Sequence, residues 1–210
     1  MRCSRFWLQL ILGLSLPVLA FGGQGSDKTG IVKGTITIDG KPTSDAVVSV
    51  EGLPLEKLRF QITYPVTEQA VMDQRNMKFV PRVSAVLVGK SVHFPNNDNT
   101  WHNVFSTSET KKFDLGLYPP GESRSVTFDK PGVVRILCNV HPNMEASILI
   151  KEHPYFTVPD TQGNYRFDAV PLGRYRIEVW HPELGMKAES FNLVRGGEVL
   201  VIDVDLKRIR

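Results

Sequence analysis

Cysteine is almost missing from this chain: Cys3 and Cys138 are the only two in 210 residues. Cys3 falls in a leader-like N-terminus, so a processed chain would hold one thiol and could form no internal disulfide. After residue 25 no stretch carries an apolar repeat of helical period, and no run is long and apolar enough to span a bilayer. An excess of either charge is lacking too. Lys and Arg number 25 against 22 Asp and Glu, for a net +3. Without Arg2 and Arg5 the balance is 23 against 22, so bulk charge gives no support to a nucleic-acid or anionic-lipid partner. Paired carboxylates, a Ser-His-Asp order and a phosphate-cradling glycine loop are all absent, which leaves hydrolase and nucleotide-binding chemistry without residues to carry them.

The first 23 residues, MRCSRFWLQLILGLSLPVLAFGG, join a basic start (Arg2, Arg5) to an apolar run from Phe6 to Leu19 and to small residues at Ala20 and Gly22. This is the pattern of a secretory signal peptide over 1–20, cut after Ala20; the run is short for a spanning helix and Pro17 lies near its end. The expectation is a periplasmic or secreted protein with no stable membrane insertion after cleavage. In such an oxidising compartment a lone thiol is buried, paired between chains or held by a metal.

The rest reads as short strands and turns. In Ile31 to Ile38, Val32, Gly34, Ile36 and Ile38 alternate with Lys33, Thr35 and Thr37, and the run ends at Asp39-Gly40. Tyr175, Ile177 and Val179 alternate in the same way with Arg174, Arg176 and Glu178, and Leu200, Ile202, Val204 and Leu206 with Asp203 and Asp205. With 14 prolines and 17 glycines mostly between such runs, the expected fold class is all-β.

The chemistry gathers in the middle. Thr100-Trp101-His102-Asn103 is followed, 36 residues beyond His102, by Cys138-Asn139-Val140-His141-Pro142-Asn143-Met144. Each side chain alone has an ordinary reading: an edge histidine, a buried small hydrophobe, a turn residue, a core filler. Together they are two imidazoles, a thiolate and a thioether, the His₂Cys set with a weak axial Met of a blue-copper electron-transfer site. A Cys ending a strand, with His and Met in one short loop, lets three ligands converge while the fourth arrives from a neighbouring strand. His93 alternates out of phase with Val92 and Phe94 and projects outward. His153 and His181 each precede a proline in a turn, and Met72 and Met77 read as strand fillers.

Two family resemblances follow from these residues. Val88 to Asp98 (VGKSVHFPNND), then TWHNVFS, then Phe113 to Ile150 resemble the cupredoxins, and the Cys138-x-x-His141-x-x-Met144 loop with Pro142 looks most like that of amicyanin. The resemblance implies a Greek-key sandwich with His102, Cys138 and His141 as equatorial copper ligands and Met144 as the axial one. It also gives Asn103 a supporting role, its backbone amide aimed at the thiolate and its side chain tying the ligand loops together. Gly30 to Gly52 and Thr157 to Gly185, continuing to Leu206, resemble two halves of a carboxypeptidase-regulatory-like domain, a transthyretin-like β-sandwich. A lone pair of strands over 30–52 could not bury its apolar face. The expected organisation is therefore a discontinuous sandwich, 24–52 and 153–210, with a cupredoxin domain, 53–152, inserted in one of its loops. The combination resembles periplasmic methylamine-utilisation or plastocyanin-like proteins. Within 53–77 no cupredoxin strands are recognisable, and Asn143 stands where amicyanin carries an aromatic residue.

These readings imply an electron carrier with one mononuclear type 1 copper, not an enzyme, whose partner would be a redox protein such as a c-type cytochrome or a periplasmic dehydrogenase. Two other readings compete: a copper scavenging or delivery protein, and a carbohydrate-binding or adhesion-type sandwich with a vestigial copper site.

Overall fold

The structure, a computed structural model, describes residues 28–54 and 70–208. The leader expected over 1–20, with Cys3, and most of the unrecognised stretch before Ala70 lie outside the described residues. Nineteen strands are described, and no helix of the described residues is long and apolar enough to cross a membrane.

In chain order the first strands are β1 (Thr29–Ile38), β2 (Lys41–Pro42) and β3 (Val47–Glu51). A middle group follows: β4 (Ala70–Val71), β5 (Asp73–Arg75), β6 (Lys78–Val80), β7 (Val83–Leu87) and β8 (Ser91–Pro95). It continues through β9 (His102–Ser108), β10 (Lys111–Tyr118), β11 (Ser123–Thr127), β12 (Gly132–Leu137) and β13 (Glu145–Lys151). The last group is β14 (Phe156–Thr157), β15 (Asn164–Pro171), β16 (Gly173–His181), β17 (Gly185–Leu193), β18 (Val199–Val201) and β19 (Val204–Leu206).

The first and last groups pair with each other. β1 runs antiparallel to β15 and parallel to β18 and β19, while β3 is antiparallel to β14 and β16. Val32 and Ile36 of β1, Val48 and Val50 of β3, and Tyr175, Ile177 and Val179 of β16 meet in one core, as period-2 alternation requires. Asp39 and Gly40 both take positive φ, the geometry of a tight hairpin turn, and return the chain to β2. The strand expected to run through residues 200–206 is broken instead. At the break Asp203 Oδ1, not a backbone carbonyl, accepts from Thr35 N at 2.8 Å. There Gly34 lets the chains approach so closely that an added Cβ would stand 1.9 Å from the Ile202 carbonyl oxygen.

The middle group forms a second sandwich. One sheet has the order β10-β9-β12-β13-β7 and the other β11-β8-β4, with the β5-β6 hairpin beside them. Phe94, Val104, Tyr118, Phe128, Ile136 and Ile148 lie at its centre. Strands β3 and β13 are buried on both faces, which explains their unbroken apolar runs. Val48, Val50, Ile148 and Ile150 turn to their own cores, while Val47 and Leu149 meet between the sandwiches with Val83, Phe156 and Trp180. Arg82 crosses this junction to Asp45, at 2.9 Å, and to Glu183.

Candidate metal centre

His102 opens β9 and Cys138 follows the last residue of β12, the adjacent antiparallel strand, so both reach the same end of the second sandwich. Five residues then lead to Met144. Met144 N donates to the His141 carbonyl at 2.9 Å, closing a turn with Pro142 at its second position. This turn brings the chain back toward the core, where Met144 is buried with Cys138.

The donor atoms converge. His102 Nδ1 and His141 Nδ1 are 3.0 Å apart, and each lies 4.0 Å from Cys138 Sγ. Among the described residues this is the one group of three His, Cys, Asp or Glu placed to hold a metal ion. A triangle with those sides has its centre about 2.2 Å from all three atoms, against metal bonds of roughly 2.0–2.3 Å to imidazole nitrogen and thiolate sulfur. His102 is fully buried, Cys138 is 4% exposed, and His141 is half-buried at the rim. The set therefore fits a soft, redox-active metal held largely out of water.

The sequence alone does not mark Asp98 as part of the site. Its Oδ2 lies 3.0 Å from His102 Nε2 and accepts from Met77 N at 2.7 Å. Hydrogen bonds from the Met77 amide, the Asn99 amide and His102 outweigh burial and hold its carboxyl at about 2. An ionised carboxylate only accepts, so His102 carries its proton on Nε2, and Nδ1 offers its lone pair to the centre of the triangle. The signal for Asp98 was its place four residues before His102, but in PNNDNT it reads as one more turn residue. Asn96, also fully buried, sets that loop by donating to the carbonyls of Thr100 and Tyr118.

Asn103 accepts from Asn139 N at 3.4 Å, so its side chain joins β9 to the residue after Cys138. A hydrogen bond from its backbone amide to the thiol is not among those of the described residues. Tyr118, opposite His102 in the β9-β10 ladder, is pushed up to about 12, chiefly by burial. His93 is half-buried on β8 and Met72 fully buried, both outside the cluster. Met77 is exposed at the β5-β6 turn with φ 55°, a correction to its reading as a strand filler. His153 and His181 are buried and structural: His153 Nε2 lies 2.9 Å from Glu51 Oε2, and His181 Nδ1 accepts from the Glu183 and Leu184 amides.

Residues 66–151 match the family of copper binding proteins of the plastocyanin/azurin type, a span that contains all four candidate ligands. No curated protein matches the chain. Among solved structures it is similar to a Cu-containing nitrite reductase from Thermus scotoductus SA-01, at 24% identity and a TM-score of 0.39, over 41% of this chain and 23% of that one. The chain thus spans less than a quarter of that reductase. Amicyanin, in a mutant Cu(I) form, gives 22% identity and 0.38 over 40% and 82% of the two chains. A purple cupredoxin from Nitrosopumilus maritimus gives 20% and 0.37 over 40% and 100%.

Proposed function

We propose that this chain is a blue, type 1 copper electron-transfer protein of the periplasm that cycles between Cu(I) and Cu(II) at one mononuclear site. His102, Cys138 and His141 would be its equatorial ligands and Met144 its axial one. The observation that carries this reading is the triangle of two imidazole nitrogens and one sulfur with sides of 3.0, 4.0 and 4.0 Å.

Copper bound there supplies a one-electron couple; the rest belongs to the chain. Asp98 fixes the His102 tautomer, and Pro142 stiffens the His141 turn by locking φ and removing a donor. The apolar core around Cys138 and Met144 keeps water from the thiolate. His141, at the rim, offers the short way out for an electron, toward a c-type cytochrome or a periplasmic dehydrogenase. Four protein ligands leave no position for a substrate, which favours a carrier over an enzyme. The rest of the organisation is part of the proposal: a leader over 1–20, a regulatory-like sandwich over 24–52 and 153–210, and the cupredoxin unit over 53–152 inserted between its halves.

Voltammetry in the presence of a copper chelator tests the carrier role. The expected result is a reversible one-electron wave with copper retained over many cycles. Irreversible cycling, with copper passing quickly to the chelator, would instead mark the metal as cargo.

A further inference from the structure

Asn103 is 1% exposed, and its amide bonds at both ends. Nδ2 donates to Asp114 Oδ1 at 2.7 Å and Oδ1 accepts from Asn139 N. Asp114 Oδ1 also accepts from Gly116 N at 2.8 Å. These contacts are built on a bulge in β10. The ladder runs from Asp114 opposite Phe105 to Leu117 opposite Asn103, so three steps on β10 match two on β9. On a regular ladder Asp114 and Asn103 would be diagonal neighbours about 7–8 Å apart. The extra residue sharpens the local twist and brings carboxylate and amide together. Gly116 takes φ 68°, and Arg124 caps the bulge by donating to the Leu115 carbonyl. No Lys or Arg pairs with Asp114 among the described residues, so its charge acts on a neutral amide.

A carboxamide can turn end for end with almost no change of shape, which would set an NH₂ against the Asn139 N–H. An ionised carboxylate accepts hydrogen bonds and donates none. Facing Asn103, it selects the one orientation that offers a carbonyl oxygen to the ligand loop.

We propose that Asp114 is a positioning residue that, through the orientation of Asn103, anchors the start of the Cys138–Met144 loop. Its importance for copper rests on the function proposed above, whereas the anchoring itself is a property of the metal-free chain. In metal-free protein, Asp114→Ala should speed amide hydrogen exchange at Asn139 roughly tenfold or more, the loss of one charge-assisted hydrogen bond. Exchange at Val134 and Ile148, paired in the neighbouring ladder, should hold its rate. Asp114→Asn should restore protection, because Gly116 N still requires an acceptor at that atom. In copper-loaded protein, Asp114→Ala should release copper to a chelator faster, with Asp114→Asn again restoring the rate. An unchanged Asn139 rate in Asp114→Ala, equal acceleration at Val134 and Ile148, or failure of Asp114→Asn to rescue would each overturn the proposal. A wild-type protein that takes up no copper would overturn the copper reading alone, since the Asn139 rates are measured without metal.

Discussion

At the residue scale, His102 depends on a partner of opposite chemistry. At the proposed copper site the Asp98 carboxylate would make the imidazole a better donor, which would favour the more highly charged Cu(II) over Cu(I). Asp98→Asn should therefore weaken Cu(II) binding, by about 10–100-fold for the loss of such a partner, and affect Cu(I) less. Each tenfold loss confined to Cu(II) raises the reduction potential by about 59 mV. Voltammetry on the variant measures this, and an unchanged potential would deny Asp98 the role. The grouping of His102, Cys138 and His141 was legible in the sequence because their types are chemically distinct and their spacing suits convergence on one point. Asp98 and Asp114 were not, because an Asp in a polar loop, or one next to a Leu-Gly pair, carries no mark of the side chain it will meet.

Among elements, the strands with one wet face were the legible ones, since β1 and β16 write their burial as simple alternation. β3 and β13 carry no such alternation, because a second sandwich covers the face that would otherwise be polar. The break between β18 and β19 depends on Gly34 against the Ile202 carbonyl and on Asp203 accepting from Thr35 N, a hydrogen bond across 168 positions of sequence that no local pattern records. Where β3 ends and β13 ends, Glu51 meets His153, Lys151 and Ser49. Burial would push its carboxyl up, but these three hydrogen bonds hold it well below the usual carboxylate range. A carboxyl lowered on folding stabilises the fold above its unfolded pKa and loses that contribution as pH falls toward its folded value. Glu51→Gln should cost about 1–3 kcal/mol near neutrality. The gap in melting temperature between wild type and variant should narrow as pH drops from the ordinary carboxylate value of 4.5 toward 2. A gap independent of pH would remove Glu51 from the acid response.

Across the whole molecule, the chain leaves the first sandwich and returns to it at one place: Val50 N donates to the Tyr155 carbonyl at 2.9 Å. Replacing Leu53 to Glu152 by a short Gly-Ser link should thus leave a folded sandwich that exposes Val47, Phe156 and Trp180, the residues now covered by Val83 and Leu149. Circular dichroism decides it, and an unfolded product from a well-expressed variant would count against insertion. Cys138 is the free thiol among the described residues and the thiolate of the proposed site. The visible absorption spectrum after Cu(II) is added to the purified protein is therefore the most direct measurement of the central claim. The expected result is an intense blue charge-transfer band in wild type that is absent from Cys138→Ser; a colourless wild type, or a Cys138→Ser protein that turns equally blue, would contradict it.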